Sequence, residues 1–280
     1  MSSLYVVATP IGNLEDITPR ALRILAEVDM IAAEDTRHSR GLLSHFNIKT
    51  PMYSCHKFNE EKRGDFFISA LRDGKNVALI SDAGTPCISD PGHRLVKLAA
   101  GEGFPVVPVC GASAVVAALS VAGFDVTRFS FVGFLPRGKN DIIAALEAVL
   151  PGVAVFYESP KRITATLAQI CRVFPTSQVC LCNDISKKFE RVYHGGVVDV
   201  LQALEENPDA EKGEYTCVLQ MAGVEEIEEE VAFSIEAQLV DVLIKEGGTL
   251  KDAAARLSNT YRKKEIYAAM LNLKELLPTH

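Results

Sequence analysis

Several signatures that would name a chemistry outright are missing from this chain. None of the seven cysteines forms a C-x-x-C pair, the histidines make no helical H-x-x-x-H, and no G-x-G-x-x-G occurs. Zinc ligation and a Rossmann dinucleotide site therefore have no anchor. The odd cysteine count argues for reduced, buried thiols rather than a disulfide framework. The tightest spacing, Cys180-x-Cys182, is read as two strand neighbours on opposite faces. Long apolar runs are also lacking. The longest weakly polar stretch, Ala112 to Phe124, is too short for a bilayer and is broken by Ser113, Ser120 and Gly123. Met1-Ser2-Ser3-Leu4-Tyr5 has neither the basic nor the apolar region of a signal peptide, so a cytoplasmic location without a membrane partner is expected. Positive charge is short as well: the net charge of −7 gives no overall basic footprint for nucleic acid.

What is present is an ordinary globular composition, 48% hydrophobic and 23% charged, which excludes disorder. A length of 280 residues suggests about two domains. Short β-rich runs alternate with helical patterns through residue 221, which predicts a largely parallel α/β architecture. Strands are expected at Leu4–Thr9, Val28–Ala33, Asn76–Ser81 and Val106–Val109, closing a first unit at residues 1–115. A second unit, 116–224, carries strands at Phe129–Phe134, Val153–Tyr157, Gln178–Cys182 and Tyr215–Met221. Thr18-Pro19, Asp90-Pro91 and Ser159-Pro160 each read as a helix cap followed by a proline in the first turn.

Charge is unevenly spread. Residues 225–230 hold five carboxylates in six positions, whereas residues 251–280 carry six basic side chains against three acidic ones. An acidic run before a basic tail suggests a linker and then a small separate unit at 235–280. Its two short apolar stripes, Leu250/Ala254/Leu257 and Ile266/Met270/Leu273, resemble a helix-turn-helix, although a helical cap on the second domain fits the same pattern.

Four turns each follow a predicted strand: Thr9–Asn13, Ser81–Pro86, Gly111–Ser113 and Glu158–Pro160. In open α/β sheets the carboxyl ends of the strands form the ligand crevice, and small residues there admit a ligand close to the backbone. Glu34-Asp35-Thr36-Arg37-His38, after the second strand, is the densest polar cluster at a strand end. It suits the orientation of a hydroxyl substrate and the grip of a phosphate, and equally a capped helix start with an ion pair. Gly133 to Lys139 matches G-x-x-x-x-G-K, but Asn140 stands where a P-loop needs a hydroxyl, and Pro136 removes a backbone N–H from the loop.

The strings VVATPIGNLEDIT, MIAAEDTRHSRGLL, ALISDAGTPCISDPG, VGFLPRG and VFYESPKR, in that order, closely resemble the family of ribosomal RNA small-subunit 2′-O-methyltransferase I, of the tetrapyrrole-methylase superfamily. The resemblance covers nearly the whole chain. It implies two α/β domains with S-adenosylmethionine in the cleft between them, a helical C-terminal tail and a homodimer. It also implies methylation of the ribose 2′-hydroxyl of a cytidine in 16S ribosomal RNA, either free or in the 30S subunit. Carried over by motif, the cofactor contacts fall at Pro10, Asp82, Gly84, Thr85, Ser113, Ala114, Tyr157 and Cys182. Two departures stand out: Cys110 replaces a proline of the family, and Cys182-Asn183-Asp184 replaces Ala-Arg-Glu.

A ribose hydroxyl is a poor nucleophile while protonated, so a nearby base, or a cation stabilising the developing alkoxide, would help. Glu34, Asp35 and Glu158 are the candidate bases, and Arg37 a catalytic cation. Lys139, Lys161 and Arg162, with Arg262, Lys263 and Lys264 of the tail, are the candidate RNA contacts. The competing readings are a methyltransferase of the same fold acting on a small tetrapyrrole-like acid, and an ATP-binding module using Gly133 to Lys139.

Overall fold

The computed structural model describes residues 2–57, 59–221, 235–246, 249–258 and 261–276. The acidic run at 225–230 lies outside them. Contacts divide the chain into two compact units, Met1–Ala222 and Gly223–His280.

The first unit holds two sheets. Strands β1 (Leu4–Val7), β2 (Met30–Ala33), β3 (Met52–Ser54), β4 (Val77–Ile80) and β5 (Val106–Val109) pair in the order β3-β2-β4-β1-β5, every pair parallel. They alternate with helices α1 (Pro19–Glu27), α2 (Thr36–His45), α3 (Glu60–Arg72), α4 (His93–Gly101) and α5 (Ala114–Ser120). Val77 and Leu79 face one core with Phe67, Leu71 and Leu95, whereas Ala78 and Ile80 face another with Ala21, Leu25 and Leu43. Both faces are covered, which is why these strands read as unbroken apolar runs.

The second sheet, β6 (Phe129–Phe134), β7 (Gly152–Glu158), β8 (Gln178–Asn183), β9 (Arg191–Gly196) and β10 (Tyr215–Met221), runs in the order β6-β7-β10-β8-β9. Here the expectation of a largely parallel architecture fails. Only β6 and β7 are parallel, and the β7–β10, β10–β8 and β8–β9 pairs are antiparallel. Helices α6 (Lys139–Glu147), α7 (Ile163–Val173) and α8 (Val197–Glu205) cover one face. Val115, Ala118 and Leu119 of α5 cover the other, against Val155, Cys180, Cys182 and Val218. Because α5 leaves β5 and packs on the second sheet, the loop before it passes between the two sheets.

That packing corrects the cysteine reading. Residues i and i+2 of a strand share a face, and the Cys180 and Cys182 sulfurs lie 3.8 Å apart. Two helix starts also differ from expectation. Thr18 caps α1 as predicted, its hydroxyl accepting from the Ala21 N–H. Helix α4, however, begins after Gly92 (φ +126), and Asp90 does not cap it. The buried Glu60 does so from α3, Oε1 accepting from the Arg94 and Leu95 N–H groups at 2.8 and 3.3 Å. Helix α7 starts at Ile163 without a side-chain cap. The Ser159 carbonyl, not its hydroxyl, accepts from Arg162 and Ile163.

In the second unit, α9 (Ile235–Glu246), α10 (Leu250–Leu257) and α11 (Lys263–Leu276) enclose a core of their own around Leu239, Ala253, Ala269 and Leu273. Thr249 and Asp252 form a reciprocal capping box at the start of α10. Among the described residues no helix is long and apolar enough to cross a membrane.

Candidate active site

A cavity of about 360 Å³ opens in the first unit, within the usual range for a small-molecule site. It is lined from both sheets. The turn after β4 supplies Gly84, Thr85 and Asp90, and the turn before α5 supplies Ser113 and Ala114. The end of β7 supplies Tyr157 and Glu158, and β10 supplies Tyr215 and Thr216.

Backbone geometry ties the turns of the first sheet together. Thr9 and Gly84 exchange both N–H···O bonds, at 2.9 and 3.0 Å, and the Thr85 hydroxyl donates to the Ala112 carbonyl at 3.3 Å. Gly84 sits at φ +76, where an added Cβ would lie 3.3 Å from the Ile11 side chain and 3.8 Å from the Ala112 carbonyl. Glycine is required for this left-handed turn and for the cradle it leaves open. The Asp82 carboxylate accepts from the Asp35 N–H at 3.1 Å, and the Asp82 N–H approaches Glu34 Oε2 at 3.4 Å. The polar cluster after β2 is thereby joined to the wall of the cavity from behind.

Of the residues expected to touch a cofactor, Gly84, Thr85, Ser113, Ala114 and Tyr157 line the cavity. Pro10 and Asp82 stand next to the lining residues Ile11 and Ala83 without being part of it. Cys182 is not in the lining. It is buried against Val115 and Leu119, because its strand position points into the α5 packing layer.

The candidate acids and bases differ sharply in surroundings. Asp35 is half-exposed, caps α2 through the Arg37 N–H, and pairs with the Arg37 guanidinium at 2.9 Å. The capped helix start with an ion pair is thus what the A-E-D-T-R string builds, outside the cavity lining. Those hydrogen bonds hold the Asp35 carboxyl down to about 2. Glu34 behaves oppositely: burial first, then the neighbouring Asp90, raises it above the ordinary 4.5. Glu158 is fully buried and faces the cavity, but its oxygens are already engaged. Oε1 accepts from the Ser159 N–H (2.8 Å), and Oε2 from the Thr166 hydroxyl (2.9 Å) and the Arg162 guanidinium (3.1 Å).

Arg162, expected to reach RNA, turns inward instead. Its Nη2 also donates to the carbonyls of Leu135 and Pro136, fastening the segment that resembled a P-loop. Lys139 and Lys161 are exposed, the former as the first residue of α6, and Arg262, Lys263 and Lys264 are exposed at the start of α11.

Lys187, which no motif in the sequence signals, is the one basic residue among the described residues that lines the cavity. Its ammonium bridges Asp184 (2.9 Å) and Glu214 (2.8 Å). Burial pulls its pKa down, but these two partners outweigh that and raise it. A Cβ on Gly12 would collide with the Lys187 side chain, so the T-P-I-G-N turn owes its glycine to a lysine 175 positions downstream. Asp184 and Ser186 of this loop both hold positive φ, and the Ile185 carbonyl also lies 3.0 Å from where a Gly12 Cβ would be.

A parallel sheet joined to a mixed one, with a cavity where their turns meet, is the architecture of a known class. The family model for tetrapyrrole (corrin/porphyrin) methylases matches residues 3–201. Solved structures share the fold. Diphthine synthase superposes with a TM-score of 0.60 at 15% identity, over 79% of this chain and 90% of that one. The uroporphyrin-III C-methyltransferase of Thermus thermophilus, as a complex with S-adenyl homocysteine, does so with a TM-score of 0.54 at 18% identity, over 78% and 97%. Curated relatives are much nearer in sequence. Ribosomal RNA small subunit methyltransferase I of Pseudomonas aeruginosa is 44% identical over 96% of both chains. Its Bacillus subtilis counterpart is 38% identical over 96% of this chain and 94% of its own. The chain belongs to the tetrapyrrole methylases and, within them, to the ribosomal RNA small subunit methyltransferase I family.

Proposed function

We propose that this protein transfers a methyl group from S-adenosylmethionine to the ribose 2′-hydroxyl of a cytidine in 16S ribosomal RNA, acting in the cytoplasm as a homodimer. The observation that carries the reading is the convergence of Gly84, Thr85, Ser113, Ala114 and Tyr157 on one cavity. They come from turns far apart in sequence, each singled out by its motif. The cradle over Gly84, which a Cβ would begin to fill, fits a ligand pressed against backbone. The acceptor is taken from the relatives, whose similarity extends over nearly the full length of the chain. A tetrapyrrole acceptor is less well supported, since the porphyrin-modifying structures share only the fold.

When bound, S-adenosylmethionine supplies an electrophilic methyl group. The chain itself has to hold the acceptor hydroxyl in line and take its proton, and alignment alone contributes much of the rate. Of the three candidate bases we favour Glu34, which stands outside the cavity lining and joins its wall through the Asp82 N–H. Asp35, held at about 2, is a weak base, and Glu158 would lose a hydrogen bond by accepting a proton. Asp35 and Arg37 then order the acceptor side as an ion pair, while Arg162 acts through Glu158 as a positioning residue.

Differential scanning separates the ligand classes, because a ligand stabilises only a protein that it binds. S-adenosylmethionine raises the melting temperature and Mg·ATP does not; the reverse would revive the P-loop reading. For the base, kcat falls as pH drops through a midpoint above 4.5, since Glu34 must be deprotonated to act. Glu34→Gln removes that acidic limb and lowers kcat by roughly 100-fold or more, the usual range for a general base. Asp35→Asn retains the limb. A limb that survives in Glu34→Gln would move the role elsewhere.

The tail contributes RNA affinity. With a net charge of −7, attraction has to come from local cationic surface, and Arg262, Lys263 and Lys264 are three consecutive exposed cations. Changing all three to alanine weakens RNA binding about tenfold and flattens its salt dependence, by roughly 0.7 in slope per lost phosphate contact on single strands. The Kd for S-adenosylmethionine stays within about twofold of wild type. An unchanged salt slope would return the tail to a packing role.

A further inference from the structure

Phe134 is a large aromatic residue left 62% exposed on the lining of the cavity. The backbone goes out of its way to put it there. β6 pairs with β7 in register from Phe129↔Val153 to Phe131↔Val155, then slips by one residue before Phe134↔Tyr157. Gly133, at φ +68, makes the slip possible. In a regular strand residues 131 and 134 would point to opposite faces. The bulge brings both rings against Tyr157 instead, with centroids 5.1 and 5.5 Å away. Bulges that re-aim a side chain are a recurrent device beside active sites.

The backbone that follows the ring is also fastened. Arg162, anchored on the buried Glu158, donates to the carbonyls of Leu135 and Pro136, the two residues that follow Phe134. Glu158, Tyr215 and Thr216 of the cavity lining are buried, and its 360 Å³ leaves room for one small ligand. A macromolecular acceptor, too large for that volume, meets the exposed part of the lining, where Phe134 and the 55% exposed Ile88 stand.

We propose that Phe134 is the stacking platform for the base of the acceptor nucleotide, placing its ribose at the mouth of the cavity. The inference rests on the RNA-methylating reading above. Single-stranded bases are commonly read by stacking on an aromatic face, and a firmly held, solvent-facing ring loses little freedom on binding one.

The test uses full-length Phe134→Ala, Phe134→Leu and Phe134→Tyr. Calorimetry gives the Kd for S-adenosylmethionine, and steady-state kinetics on unmethylated small ribosomal subunits gives KM and kcat. Alanine raises KM for the subunit about tenfold or more, the effect of losing one stacked base. Leucine, which keeps apolar area without a ring face, does nearly the same, and tyrosine stays within about twofold. In all three, affinity for S-adenosylmethionine remains within about twofold of wild type. An alanine variant with an unchanged subunit KM would overturn the proposal, as would a leucine variant that matches wild type. A parallel loss of S-adenosylmethionine affinity would assign the ring to the cofactor and also overturn it. A wild-type enzyme that binds S-adenosylmethionine but methylates no RNA would defeat the functional reading itself, an outcome visible before any variant is made.

Discussion

Gly84→Val raises the Kd for S-adenosylmethionine by two orders of magnitude or more. Two independent effects act in the same direction. Gly84 sits at φ +76, where a β-branched residue is a genuine outlier, so the turn has to reshape at a cost of about 1–3 kcal/mol. The new side chain also meets Ile11 on one side and approaches the Ala112 carbonyl on the other, closing the cradle. Both bonds between Thr9 and Gly84 depend on the same backbone, so relief by movement would disturb the first turn as well. A hundredfold loss corresponds to about 2.7 kcal/mol, within reach of strain and lost space together. Gly84→Ala, with a single methyl group, loses about tenfold. Calorimetry reads both, with circular dichroism to show that the sheets persist. Wild-type affinity in a folded valine variant would remove the turn from the site.

Glu158→Ala destabilises the first unit by about 3 kcal/mol, the low end for breaking a buried ion pair, because Arg162 keeps about a third of its side chain exposed. For a chain of this size that is a fall of roughly 6–12 °C in melting temperature. The Thr166 hydroxyl and the Arg162 guanidinium lose their acceptor together, and the 135–136 segment loses its anchor. Glu158→Gln keeps the shape and an acceptor for Ser159 or Thr166, so it retains most of the stability and most of the turnover. This pair of variants separates positioning from proton transfer. A glutamine variant as stable as wild type, yet slower by 100-fold or more, would make Glu158 the base.

The parts of the fold and site that were legible in the sequence are those with local causes. β2 and β4 announce themselves as apolar runs because both faces of a parallel sheet are covered there, and Thr18-Pro19 starts α1 through bonds reaching three residues. β3 is only three residues long, and β9, with Arg191, His194 and two glycines on an exposed edge, shows no apolar alternation to read. The cap on α4 was misassigned because Glu60 supplies it from 34 positions upstream. Within the site, the glycine and hydroxyl turns were visible as turn chemistry. Lys187 was not, since nothing beside it in the sequence signals that its chain crosses Gly12. The packing of Cys182 was hidden for a similar reason: the strand register, not the motif, turns its side chain into the α5 layer.

The most direct test of the whole account is to incubate the purified full-length protein with S-adenosylmethionine carrying a labelled methyl group and with small ribosomal subunits from cells lacking the gene. Ribose methylation is then mapped in the digested RNA by mass spectrometry. Label is expected on a single 2′-O-methylcytidine, absent from reactions with the Gly84→Val variant. Label on a base rather than a ribose, or no label on RNA alongside methylation of a tetrapyrrole acid, would contradict it.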